Sequence, residues 1–225
     1  MTMLIDSMVE RAKADKKTIV LPEGHDDRIL AAAEETLKQG IANLVILGDA
    51  EEINAKGYNL EGAEIINPAT SDKVDEFASL LFELRKKKGM TEEEARELVT
   101  KDNIYFATMM VKTGQCDGLV GGASCATVKI LSPALKVLKT APGAPMVSSL
   151  FLMEVPNCDL GENGVFAFAD CALEIQPTAE KLAHIANLTN QSFKRLLGKE
   201  ARIALLSHSC LLYTSPSPRD PKTSR

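Results

Sequence analysis

The sequence predicts an α/β protein built in three layers, with helices on both faces of a mostly parallel sheet. Three observations carry this. Up to about residue 145, short apolar runs alternate with longer stretches whose apolar residues recur at helical spacing. The apolar runs are nearly continuous, as strands buried on both faces are. Turn formers separate most of the segments.

The elements follow in order. "MTMLIDSMVERAKADKK" reads as a short amphipathic helix and "KTIVLPEG" as a strand ending in a Pro/Gly break. "DDRILAAAEETLKQG" is a helix, with Asp26 or Asp27 suited to its N-cap and Gly40 to its close. "ANLVILGD" and "GAEIINP" are the next strands. In "SDKVDEFASLLFELRKKKG", Val74, Phe77, Leu80, Leu81 and Leu84 mark a helical face; Ser71 is its expected cap and Gly89 its stop. Thr91 and Glu94 have the spacing of a capping box, "NIYFATMMVKTG" predicts a mostly buried helix, and "CDGLVGGA" a strand running into glycines. The pattern then changes. "PMVSSLFLMEVP" and "GVFAFADCAL" read as a hairpin with a long connection, "TAEKLAHIANLTNQSFKRLLG" as a long helix, and "ARIALLSHS" as a further strand. The expected division is a first α/β domain over 1–145 and the beginning of a second, incomplete one over 146–209. Residues 210–225, with three prolines and no hydrophobic period, predict a disordered tail. "CLLYTSPSPRD" resembles translated sequencing adapter, so the tail is expected to be non-native and is set aside from the fold.

The 225 residues carry a formal charge of −5, which disfavours a general nucleic-acid or anionic-membrane partner. No apolar run approaches the length of a membrane span, and the N-terminus does not read as a secretory signal. Five cysteines without a CxxC pair imply reduced thiols, a cytoplasmic location and no structural zinc; no metal site is expected.

Several residues are candidates for binding. "LRKKKG" gathers Arg85 and three lysines at a helix end, where cations also complement the helix dipole without any ligand. Arg28 follows "LPEGHDD" at the carboxyl edge of a strand, where open α/β sheets bind ligands; an exposed arginine paired with a nearby acid fits the same spacing. In "VGGASCATVKILSPALK", Gly121 and Gly122 permit close backbone approach, and the helix amides near Thr127 suit an anion; a plain strand-to-helix turn is the alternative. His25 reads as a loop histidine and His184 as packing or surface, while Cys116, Cys125 and Cys171 read as small buried or half-buried residues.

Taken together, "IVLPEGHDDRIL", "YFATMMV", "DGLVGGA", "SPALKVLKTAPG", "MEVPNCDLGENGVFAFADCAL" and "IALLSHS" resemble, in that order along residues 3–209, the phosphate acetyltransferase family. The resemblance implies transfer of an acetyl group between acetyl-CoA and inorganic phosphate, by direct attack of the coenzyme A thiol in a ternary complex. Coenzyme A is then a substrate, and no cofactor is required. It further implies a two-domain fold like that of isocitrate and isopropylmalate dehydrogenases, a site between the domains and a homodimer. It assigns Arg85 to coenzyme A, sets Cys158 near the site and continues from Ser207 and Ser209 into a phosphate loop. With Arg28, Gly122 and Thr127, read from their positions at strand and helix ends, and Ser132, these are the substrate-binding candidates. Cys158 is read as lining the cleft, since no histidine stands near it in sequence to activate a nucleophile.

Two departures bear on coenzyme A contacts and acyl preference. Ser132 stands before Pro133 where the family has arginine, removing a bidentate phosphate fork; Lys129 or Lys136 could compensate. Cys125 and Ala126 replace a His-Ser pair. The family's phosphate loop and its later serine, arginine and aspartate base have no counterpart in these residues, so catalytic residues stay unassigned and the chain itself is expected to be an inactive fragment. Phosphate butyryltransferase is the neighbouring alternative. A nicotinamide-dependent dehydrogenase is the more distant one; a GxGxxG fingerprint and convergent acidic ligands are both missing for it.

Overall fold

A computed structural model describes residues 3–206. The chain divides into two compact units at Pro142/Gly143. In the first, β1 (Thr18–Leu21), β2 (Asn43–Leu47), β3 (Glu64–Ile66) and β4 (Gly118–Leu119) form a parallel sheet of order β3-β2-β1-β4. The register sets Val20 beside Val45 and Leu119, and Ile46 beside Ile65. The helices of this unit are α1 (Met3–Ala14), α2 (Asp27–Gln39), α3 (Ala50–Ala55), α4 (Val74–Arg85), α5 (Glu92–Lys101), α6 (Asn103–Lys112) and α7 (Thr127–Val137).

Successive strand residues point to opposite faces, and both faces are covered. Val20, Val45 and Leu47 pack with Phe77 and Leu81 of α4, Val99 of α5, Phe106 and Met109 of α6 and Val137 of α7. Leu21, Leu44 and Ile46 pack on the other side with Leu30 and Ala33 of α2 and Ile53 of α3. This is the three-layer arrangement expected from the uninterrupted apolar runs.

Most helix boundaries follow from local hydrogen bonding. Asp26 caps α2 and Gly40 closes it in the left-handed region, at φ 68°. Thr91 and Glu94 form a reciprocal capping box on α5. Two boundaries differ from expectation. α4 starts at Val74, not beside Ser71: the Ser71 hydroxyl accepts from the Lys73 amide (3.2 Å) and holds a turn instead. α3 was not anticipated, although Asp49 caps it by accepting from the amides of Glu51 and Glu52 (3.0 and 3.1 Å).

In the second unit, β5 (Leu150–Glu154) and β6 (Val165–Ala169) form an antiparallel hairpin, with Phe151 opposite Phe168 and Met153 opposite Phe166. Their connection contains an irregular turn, α8 (Leu160–Asn163). α9 (Ala179–Leu197), capped by Thr178 and closed by Gly198, packs on β6 and buries Ile185 and Phe193. The strand expected at "ARIALLSHS" is absent over residues 201–206. The hairpin offers these residues no ladder, and Ile203, Leu205 and Leu206 are exposed. Ser207, Ser209 and the 210–225 tail lie outside the described residues.

Candidate functional site

The strand order places the site. The chain steps outward from β1 to β2 to β3, then returns to the other side of β1 with β4. In open parallel sheets such a reversal opens a crevice at the carboxyl ends of the two strands. Here those ends lead into the loop 22–26 after β1 and the loop 120–126 after β4.

The two loops are tied together by side chains of the first. Glu23, only 3% exposed, accepts from the amides of Gly122 (2.6 Å), Ala123 (2.9 Å) and Ser124 (2.8 Å) and from the Ser124 hydroxyl (2.8 Å). Burial opposes the charge, yet the bonds from Ser124, Ala123 and Gly122 outweigh it and hold the carboxyl at about 2. Because the Ser124 hydroxyl donates to Glu23, it is the acceptor for His25 Nε2, 3.1 Å away. The Arg28 guanidinium forms a fork with Asp26 (3.0 and 2.7 Å) and also donates to the Ala123 carbonyl. That fork holds the Asp26 carboxyl at about 2. Lys56 donates to the His25 carbonyl (2.6 Å) and to Asp27 (2.7 Å), bracing the first loop from behind.

Local sequence makes this geometry possible. Gly24 accepts no side chain: a Cβ there would stand 2.6 Å from the Leu47 carbonyl oxygen. Its amide donates to that same oxygen (3.2 Å), fixing the turn out of β1. Gly122 holds φ 107°, which aims its amide and the two following it at one carboxylate.

Of the predicted residues, Arg28 and Gly122 come together here, and Thr127 opens the helix that follows, exposed as the first residue of α7. Ser132 is half-buried further along α7. Arg85 ends α4, with its Nε buried and unbonded. Cys158 belongs to the second unit, half-buried in the connection between β5 and β6. Burial pushes the Cys125 thiol up, with Glu23 adding to the effect, and burial pushes Cys116 up to about 11, so both stay protonated near neutral pH. Among the described residues no group of three His, Cys, Asp or Glu side chains could hold a metal ion, and no helix is long and apolar enough to cross a membrane.

Sequence reasoning passed over Glu23 and Ser124. Both stood in quoted stretches, but their pairing spans about a hundred residues and has no local signature. The available signal was weaker: a carboxylate directly after an apolar strand, at the edge where open sheets bind ligands.

Residues 3–222 match the family model for phosphate acetyl/butaryl transferase. A phosphate acetyltransferase of Thermoanaerobacterium thermosaccharolyticum is 56% identical over 208 residues, covering 92% of this chain and 63% of that protein. One from Acetivibrio thermocellus is 48% identical over 207 residues, covering 91% and 62%. The chain thus spans a little over three-fifths of the length of these relatives. A solved phosphotransacetylase from Streptococcus pyogenes superposes with a TM-score of 0.79 at 35% identity, covering 87% of this chain and 60% of that one. The EutD phosphotransacetylase from Staphylococcus aureus gives 0.76 at 32%, covering 86% and 57%. On the family match and these identities, the chain belongs to the phosphate acetyl/butaryl transferase family.

Proposed function

We propose that this chain serves transfer of an acetyl group between acetyl-CoA and inorganic phosphate, giving acetyl phosphate and coenzyme A. The observation that carries the reading is the 56% identity, over 92% of the chain, to a protein named phosphate acetyltransferase. The relatives' names favour acetyl over butyryl as the group moved. In this reading the thiol attacks the acetyl carbonyl of acetyl phosphate directly, the C–O bond to phosphate breaks, and a base takes the thiol proton. Arg28 and Arg85 meet the phosphates of coenzyme A, with Gly122, Thr127, Ser132, Cys158, Ser207 and Ser209 as further contacts. Arg28 suits this role because its side chain is 71% exposed while Asp26 fixes its fork. A dehydrogenase-like two-domain fold, a homodimer and a cytoplasmic location complete the reading.

The 225-residue chain is expected to bind coenzyme A through Arg28 and Arg85. Two measurements test this. Calorimetric titration should show coenzyme A binding, weakened in Arg28→Ala and Arg85→Ala. Thiol release from acetyl-CoA should require phosphate; release that ignores phosphate would overturn the reading, and faster release from butyryl-CoA would reverse the acyl assignment.

A further inference from the structure

The glycine loop after β4 has the form of an anion cradle: consecutive amides converge after a strand and before a helix. The structure already fills it. Glu23 takes the amides of residues 122, 123 and 124 and the Ser124 hydroxyl at 2.6–2.9 Å, and it is almost wholly buried. The carbonyl of Ala123 goes to Arg28 and the Ser124 oxygen to His25. Amides, carbonyl and hydroxyl of this loop therefore all face the β1–α2 loop. An external anion entering the cradle would have to displace a carboxylate with four hydrogen bonds and leave it buried without partners, while like charges repel at close range.

We propose that Glu23 is the resident anion of the glycine loop, a positioning residue that fixes residues 122–124 and keeps ligand phosphate out of the cradle. Phosphate then meets this edge at its exposed rim, where Arg28 and Thr127 stand. The identity of the ligand rests on the acyl-transfer reading; the filling of the cradle does not.

The test uses the full chain with Glu23→Ala, Glu23→Gln and Ser124→Ala, and follows amide hydrogen exchange and resonance shifts at residues 122–124. In the unaltered chain these amides are expected to exchange slowly and not to shift on addition of inorganic phosphate. In Glu23→Ala they should exchange at least about tenfold faster. Formate, which replaces the missing carboxylate, should slow them again, and inorganic phosphate should now shift them. Slow exchange in a folded Glu23→Ala, no response of that variant to formate, or a phosphate shift in the unaltered loop would each overturn the proposal. Should Glu23→Ala not fold, the other two variants decide. Gln places an NH2 against an amide donor, and Ser124→Ala removes one bond, so exchange at the residue-124 amide should rise about threefold or more in each. Unchanged exchange in both overturns the proposal. Failure of the unaltered chain to bind coenzyme A counts against the acyl-transfer reading alone, since the exchange and formate measurements contain no coenzyme A.

Discussion

The parallel sheet and the hairpin are made of similarly apolar strands, yet they bury them very differently. In β1 and β2, Val20, Val45, Ile46 and Leu47 are all at most 3% exposed, because helices cover both faces. In β5 and β6, Phe151 and Phe168 sit opposite one another and are 58% and 52% exposed. α9 packs against β6, yet these two rings stand about half in water. Apolar composition makes a strand possible, and only its neighbours decide what that composition stabilises.

This contrast gives the largest expected effect. Phe106 is fully buried, with its ring edge-to-face on Phe77 at 5.0 Å between centroids. Phe106→Ala should cost about 3–5 kcal/mol, by lost transfer energy plus the cavity left behind. Phe168→Ala should cost less than about 1 kcal/mol, since its ring is already half in water. Urea denaturation followed by circular dichroism measures both. Equal losses would mean that the hairpin face is covered in solution, and would break the comparison.

Both units also use a carboxylate to hold a loop, and here the difference is one of reach. Glu23 gathers amides from a loop about a hundred residues away. Asp170 accepts from the nearby amides of Ala172 and Leu173 (2.8 and 2.9 Å) and from the Ser149 hydroxyl (2.7 Å). Burial opposes ionisation at each, and the hydrogen bonds win, leaving each carboxyl at about 2. A folded-state pKa below the unfolded one stabilises the fold at higher pH. That stability is complete above the ordinary value, 4.5 for Glu23 and 3.8 for Asp170, and is lost as pH falls towards about 2. The expected loss is about 3 kcal/mol for Glu23 and about 2 kcal/mol for Asp170. Denaturation midpoints measured across this range should flatten in Glu23→Gln and, less so, in Asp170→Asn. An unchanged acid limb in Glu23→Gln would mean that the Glu23 carboxyl titrates alike in the folded and denatured chain, and would remove this comparison.

Which parts were legible follows the same division between local and distant causes. Both sheets, the α5 capping box and the closing glycines Gly40 and Gly198 are written within a few residues, and each was read from such a stretch. Ser71 misled because serine caps turns as readily as helices, and only the later entry of Val74 into the core fixes where α4 begins. The strand expected after Gly198 needed a neighbour, which its own residues could not specify. At the site, Arg28 and Gly122 were found by their position at strand ends. Glu23 was missed because its partners lie in the loop after β4, which becomes adjacent only when β4 crosses to the far side of β1.

The smallest expected effect separates two glycines that look alike by backbone angle. Gly164, in the hairpin connection, has φ 86°, and Gly198, after α9, has φ 72°. Both sit in the left-handed region, so alanine costs about 1 kcal/mol at either from backbone strain alone. Their surroundings differ. A Cβ at Gly198 meets nothing within 4 Å, whereas one at Gly164 would run into the Val155 carbonyl oxygen and come 3.1 Å from that of Cys158. The Gly164 amide also donates to Leu160 (2.8 Å), and its carbonyl accepts from Val155 (2.9 Å), so the backbone cannot shift without losing both bonds. Gly198→Ala should therefore cost about 1 kcal/mol and Gly164→Ala about 2 kcal/mol or more. Thermal melting of the two variants checks the order. Equal costs would mean that the β5–β6 connection yields freely, and that the hairpin is as loosely held at its turn as it is bare on its outer face.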